Sequence, residues 1–161
     1  MLRPRELKLL SCLRIDGRIS LATASKQTKI PISTLFEKIK RYNTNIIRRT
    51  TILLNFEALG YGTRASIFLR TSKDHRKTLE ESLNNDSHIN TLFRISNGWD
   101  YLVEGVFKDI QDLQDFLEGI EEHCPVEKQI HFILGDLKKE AFLTELDVPL
   151  LSLGASEGLK T

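Results

Sequence analysis

Between Ile32 and Arg49 the chain concentrates residues suited to meeting a polyanion. Ser33 and Thr34 carry small hydroxyls, Lys38, Lys40, Arg41, Arg48 and Arg49 carry long cations, and Glu37 stands among them. Ile32, Leu35 or Phe36, Ile39 and Tyr42 recur at helical spacing, so they are expected to face a core. Ser33, Thr34, Glu37, Lys38 and Arg41 then point outward. Hydroxyls and long cations on one helix face can reach base edges and phosphates from a major groove. Ser33, Thr34 and Lys38 are therefore expected to meet bases or adjoining phosphates, and Lys40, Arg41, Arg48 and Arg49 to meet phosphates.

Such a face needs a scaffold, and the flanking sequence supplies one. Ser20 is a helix N-cap, and the chain to Thr28 is free of strong breakers. Pro31 disfavours helix at Ile30, so Lys29-Ile30-Pro31 is a turn, and either Pro31 or Ser33 opens the next helix. Arg5 to Ile15 has Leu7, Leu9 or Leu10, Cys12 or Leu13, and Ile15 at helical spacing, ending at the turn signal Asp16-Gly17. Three helices in this order predict a helix-turn-helix. Asn43-Thr44-Asn45 reads as a polar break after Tyr42. Ile46 to Leu54 is rich in β-branched residues and is expected to be extended, forming a wing that carries Arg48 and Arg49. Asn55 to Gly62 reads as a short turn or helix ending in two glycines, placing a domain boundary near residue 62.

Charge supports the division. Of 161 residues, 28% are charged and 40% hydrophobic, as in a soluble globular protein, and the overall charge is only +1. Residues 1–62 hold twelve Lys/Arg against four Asp/Glu, a balance of +8, while residues 63–161 hold eleven against eighteen, a balance of −7. A basic first half beside an acidic second half points to nucleic acid as partner of the first. No apolar run approaches a membrane span and the N-terminus lacks a signal-peptide core, so a cytoplasmic protein is expected. Cys12 and Cys124 form no disulfide framework or zinc pattern. The histidines at 75, 88, 123 and 131 are scattered, and phosphate-loop, nucleophile-elbow and metalloprotease motifs are missing. We expect no catalytic residues, no metal and no cofactor.

The second half alternates strands and helices: Thr63–Thr71, a helix Lys73–Asn85, His88–Ser96, Trp99–Phe107, a helix Asp109–Glu122 capped by Asp109, and Val126–Leu134. Ile89, Thr91, Phe93 and Ile95 are expected to share one face of the second strand. Ile110, Leu113, Phe116 or Leu117, and Ile120 are expected to pack the second helix. Asn97-Gly98 is a strong hairpin signal, since both residues tolerate positive φ. The order β-α-β-β-α-β predicts a ferredoxin-like domain over residues 63–146, and with the first domain an α+β protein. Its helices cover one sheet face. The other, with Phe68, Leu92, Leu102, Val106 and Ile133, is left open, which predicts a homodimer. Lys138 to Leu146 is expected to form a last helix, and residues 147–161 a loose tail.

In these elements the chain resembles the Lrp/AsnC, or feast/famine, family of transcriptional regulators from about Leu7 to Phe142. The resemblance rests on Ile15-Asp16-Gly17-Arg18-Ile19-Ser20, on Ile30 to Tyr42, on Ile46-Ile47-Arg48, on Leu59-Gly60, and on Ser96 to Val103. It implies a winged helix-turn-helix joined to an effector-sensing (RAM) domain. It also implies dimers, often assembled into rings, that bind double-stranded promoter DNA. Many members bind an amino acid near the hairpin, whose residues here are Asn97, Gly98, Asp100 and Tyr101. The chain departs from the family in places. Lys29-Ile30 replaces Gly then Leu before the recognition helix, and a looser turn is expected because Lys is strained in the left-handed region. Asn97-Gly98 replaces Gly and an acidic residue, which removes a carboxylate that could meet an amino group. Arg3 and Arg5 replace acidic residues before the first helix.

The siroheme decarboxylases are similar to this family in both domains and supply the rival, enzymatic reading. They carry a His-Asn-Tyr run with nearby Arg in the second strand. The comparable stretch here, His88-Ile89-Asn90-Thr91-Leu92-Phe93-Arg94, breaks that run, so an enzyme is not expected. A third reading is a sensor or partner protein without DNA binding.

Overall fold

A computed structural model describes residues 2–144, so the expected tail over 147–161 lies outside the described residues. The chain divides into two compact units. Among the described residues, one holds residues 2–53 together with residues 138–144, and the other holds Leu54–Leu137. The contact boundary thus falls ahead of the expected one near residue 62, and Lys138 to Thr144 group with the first unit rather than with the sheet.

The first unit is built on three helices: α1 (Pro4–Ile15), α2 (Leu21–Thr28) and α3 (Ile32–Asn45). Pro4 opens α1, where its missing N–H costs no helical bond. The Arg3 amide donates to Glu6 Oε2 at 2.8 Å, closing the first turn. Ser20 Oγ accepts the Thr23 amide at 3.1 Å and starts α2. Of the two expected openings of α3, Pro31 is the N-cap, with its carbonyl accepting the Leu35 amide at 2.9 Å. Leu9, Leu10, Ala24, Ile30, Leu35 and Tyr42 form the core, with Ile39 packed against it. The expected polar break after Tyr42 is absent: α3 continues through Asn45, and the Ile46 and Ile47 amides both donate to the Tyr42 carbonyl at 2.8 Å. The expected wing strand is also corrected. Residues 47–55 carry no regular structure. β-branched residues favour extended backbone, but a strand needs a ladder partner, and none is found among the described residues. The expected last helix is likewise not seen over residues 138–144, which form bends and turns.

The second unit holds β1 (Thr63–Arg70), α4 (Arg76–Asn85), β2 (Ile89–Arg94), β3 (Tyr101–Phe107), α5 (Ile110–His123) and β4 (Glu127–Phe132). The strands form one sheet in the order β2-β3-β1-β4, every pair antiparallel. Asp109 caps α5 by accepting the Asp112 amide at 2.9 Å. One sheet face packs Ala65, Ile67, Leu69, Tyr101, Val103 and Phe107 against Leu79 and Leu83 of α4 and Leu113, Phe116, Leu117 and Ile120 of α5. Ile110 is not part of this core; it lies exposed on the first turn of α5.

The opposite face departs from expectation at one strand. The β2–β3 register shifts between Ile89 and Thr91, a bulge that inverts the side-chain alternation beyond it. Leu92 therefore joins Ile89 against the helices, and Phe93 turns to the open face, the reverse of the expected parity. Phe93, Leu102 and Phe68 stand in one row across the open face, and Trp99 packs on Phe68 with ring centroids 5.9 Å apart.

Candidate functional site

The outward face of α3 gathers most of the expected polar set. Ser33, Thr34, Glu37, Lys40 and Arg41 are all exposed on this one helix. Arg48 and Arg49 are exposed too, but beyond the helix end, in the segment without regular structure.

Lys38 differs from the rest. It is half-buried between α3 and α1, with Nζ 2.5 Å from Glu6 Oε1. The Arg41 guanidinium lies 3.7 Å from the same oxygen and 5.8 Å from the centroid of the Tyr42 ring. The Glu6 carboxylate thus accepts the Arg3 amide with one oxygen and meets Lys38 and Arg41 with the other. The Arg3 amide, then Lys38, hold its pKa down to about 2. Burial, then the Glu6 charge, push the Tyr42 hydroxyl upward. Sequence reasoning missed Glu6. Its signal was a glutamate three residues after the N-cap of a helix opened by proline, the capping-box position.

The turn before α3 is tight rather than loose. Lys29 sits in the left-handed region at φ 58° and ψ 32°, and its amide donates to the Ser25 carbonyl at 2.9 Å. Ser25 Oγ donates to the Ile30 carbonyl at 2.7 Å, bridging the turn and holding Lys29 in a conformation that glycine would adopt more readily. A cleft of about 440 Å³ opens between this turn and the start of α1, and Arg3, Arg5, Lys29 and Lys38 bring four cations to its walls.

In the second unit, Asn97 (φ 68°) and Gly98 (φ 97°) form the hairpin tip and are exposed. Asp100 turns back into its own unit. One carboxylate oxygen accepts the Thr71 amide at 3.0 Å, and the other lies 2.6 Å from Arg76 Nη2. Tyr101 is only 2% exposed, and its hydroxyl donates to Glu80 at 3.0 Å. Arg94 pairs with the same Glu80, and Arg94, then Tyr101, lower the Glu80 pKa. The hairpin residues are thus not brought together: the tip faces solvent, Asp100 is paired, and Tyr101 belongs to the core. Among the described residues no cluster of His, Cys, Asp and Glu could hold a metal ion, and no helix is long and apolar enough to cross a membrane.

Comparison with known proteins bears on both units. Residues 64–141 match the Lrp/AsnC ligand binding domain family. An uncharacterised HTH-type transcriptional regulator of Pyrococcus abyssi is 34% identical over 101 residues, covering 60% of this chain and 67% of that protein. The chain belongs to the Lrp/AsnC family of transcriptional regulators. As a member of that family it is a DNA-binding regulator of transcription. The FL11 regulator of Pyrococcus furiosus is similar at 29% identity, over 88% of this chain and 93% of its own. Two solved structures have the same fold. A transcriptional regulator of Neisseria meningitidis in complex with L-methionine superposes with a TM-score of 0.79 at 24% identity, over 86% of this chain and 94% of its own. An AsnC family regulator of Agrobacterium tumefaciens superposes with a TM-score of 0.77 at 21% identity, with the same coverage.

Proposed function

We propose that this Lrp/AsnC regulator is a homodimer that reads a specific promoter sequence through α3. The first unit acts as a winged helix-turn-helix, with α2 and the Lys29 turn setting α3 across the major groove. Residues 46–54 act as the wing without forming a strand, carrying Arg48 and Arg49 past the end of α3. The second acts as the ferredoxin-like dimerisation and effector domain, and residues 1–62 and 63–146 are the working domains. The observation that carries this reading is the outward face of α3. Five exposed polar side chains lie on one amphipathic helix whose other side is anchored in the core through Leu35 and Tyr42. Ser33 and Thr34 lie in the first turns, the part of a recognition helix that meets base edges. Lys40, Arg41, Arg48 and Arg49 supply the cations for phosphates. Lys38 holds α3 on α1 through Glu6 and acts through position rather than by reading a base.

The two-fold dimer joins the open sheet faces of two copies, presenting two α3 helices about 34–36 Å apart or a multiple of that. Dimers assemble further into rings, and an amino acid binds beside the hairpin tip at Asn97 and Gly98, with Asp100 and Tyr101 behind it. The L-methionine complex of the Neisseria relative supports that effector class. The effector acts by changing the geometry between the two recognition helices. The protein works in the cytoplasm, where its promoter DNA is.

The test is a fluorescence-anisotropy titration of the full-length protein. The probes are duplex from its own upstream region and a scrambled duplex, each at two salt concentrations. The expected result is tighter binding of the native duplex, with both affinities falling steeply as salt rises. Each neutralised phosphate contributes roughly −0.9 to the log–log slope. Equal affinity for the two duplexes, or no binding at low salt, rejects the reading.

A further inference from the structure

Two large apolar side chains stay exposed where the apolar face of α3 borders its polar face. Ile32 is 50% exposed and Phe36 is 57% exposed. They are one helical turn apart, so they adjoin on the surface, with Ser33 three residues before Phe36 and Lys40 one turn after it. Single exposed apolar residues are commonplace on soluble proteins, but an adjoining pair bordered on its outer side by a hydroxyl and a cation is a small apolar patch at the edge of the polar face. Long helical side chains lean toward the helix N-terminus, so Phe36 covers the surface over the first turns of α3. Those turns are the ones a recognition helix inserts among base edges. The major groove offers one apolar group to such a patch, the C5-methyl of thymine. The surroundings favour a nucleic-acid occupant over an apolar protein surface, since Lys40 and Arg41 lie on the same helix and the first 62 residues carry a balance of +8.

We propose that Phe36, with Ile32 beside it, is a specificity-determining residue that packs on a thymine C5-methyl group in the major groove. The inference rests on the DNA-reading role given to α3 above. Ser33 and Lys40 then fix the helix around a contact that discriminates thymine from cytosine without any hydrogen bond from Phe36.

The contact can be tested from the DNA side without disturbing the protein. The full-length protein is used to select a duplex from a random pool, and each thymine of that duplex is replaced in turn by uracil, which removes only the methyl group. Wild type should lose roughly fourfold in affinity at one or two thymines per half-site, the effect of exposing one buried methyl group. Phe36→Ala should bind the thymine and uracil duplexes alike. Lys40→Ala should keep the thymine preference and lose affinity for both. If no uracil replacement weakens wild type, or Phe36→Ala retains the full preference, the assignment is wrong. If Phe36→Ala instead changes the sedimentation coefficient of the free protein, the patch is a protein contact and the assignment is equally wrong. Failure to select any duplex rejects the DNA reading itself, whereas a selected duplex indifferent to uracil rejects only the role of Phe36.

Discussion

Lys38 Nζ lies 2.5 Å from Glu6 Oε1, so the charge that looked most available to a base is spent joining α3 to α1. The Arg3 amide and Arg41 complete the surroundings of that carboxylate. Glu6 therefore links the start of α1 to the middle of α3. Removing one partner of such a pair leaves the other half-buried and uncompensated.

The first prediction concerns this link. Glu6→Gln should destabilise the first unit by about 1–3 kcal/mol, less than a fully buried pair because Lys38 keeps some solvent. Lys38→Met should cost less, since its aliphatic stem still packs and the Arg3 amide and Arg41 still serve Glu6. The double variant should be more stable than the sum of the two losses predicts, a coupling that denaturant titrations of the four proteins would measure. In DNA titrations, Lys38→Met should leave the salt slope nearly unchanged, whereas Lys40→Ala and Arg41→Ala should each reduce it by about one phosphate's share. A slope change for Lys38→Met equal to theirs would return Lys38 to the DNA-facing set.

The pH dependence of stability follows from the same carboxylate. The folded pKa of Glu6 is about 2, against 4.5 for a free glutamate. As pH falls below 4.5 the unfolded chain takes up a proton that the folded chain refuses, so stability is lost across the interval between the two values. The thermal midpoint of wild type should fall through that interval more steeply than that of Glu6→Gln. Parallel curves for the two proteins would show that Glu6 does not carry the effect.

Lys29 offers a test of stored backbone strain. Its left-handed conformation costs an ordinary residue about 1–2 kcal/mol, part of which glycine gives back as unfolded-state entropy. Lys29→Gly should therefore stabilise the protein by about 0.5–1 kcal/mol in denaturant titrations, and Lys29→Ile, branched at Cβ, should destabilise it. A neutral Lys29→Gly would mean that the Ser25 bridge to the Ile30 carbonyl relieves the strain.

These sites show what a sequence reveals and where it falls silent. Ser20, Asp109 and Asn97-Gly98 were legible because capping and positive φ are local properties of one or two residues. The alternating strands were legible from their period, until the bulge between Ile89 and Thr91 inverted the parity of Leu92 and Phe93. A bulge depends on the partner strand, which periodicity does not see. The extended preference of Ile46 to Leu54 was legible as propensity, but a ladder requires a second strand. The Lys29 turn misled for the opposite reason: the residue type argued against a conformation that the Ser25 hydroxyl holds in place. The pairs Glu6–Lys38 and Arg76–Asp100 join residues 32 and 24 positions apart, so no short-range spacing announces them.

The inverted parity makes the last prediction a contrast between neighbours. Phe93 lies in the open row with Leu102 and Phe68, while Leu92 packs under the helices with Ile89. If two copies join through their open sheet faces, Phe93→Asp should separate them while leaving the circular dichroism spectrum intact. Sedimentation velocity would then show a monomer, and DNA affinity would fall because two half-sites are no longer bound together. Leu92→Asp should act differently, removing a core side chain and placing a carboxylate against apolar helices, at a cost of about 2–5 kcal/mol in stability. A dimer that survives Phe93→Asp and also Leu102→Asp moves the interface off the sheet. Unfolding by Phe93→Asp with tolerance of Leu92→Asp would restore the uninterrupted alternation expected from the sequence and remove the bulge.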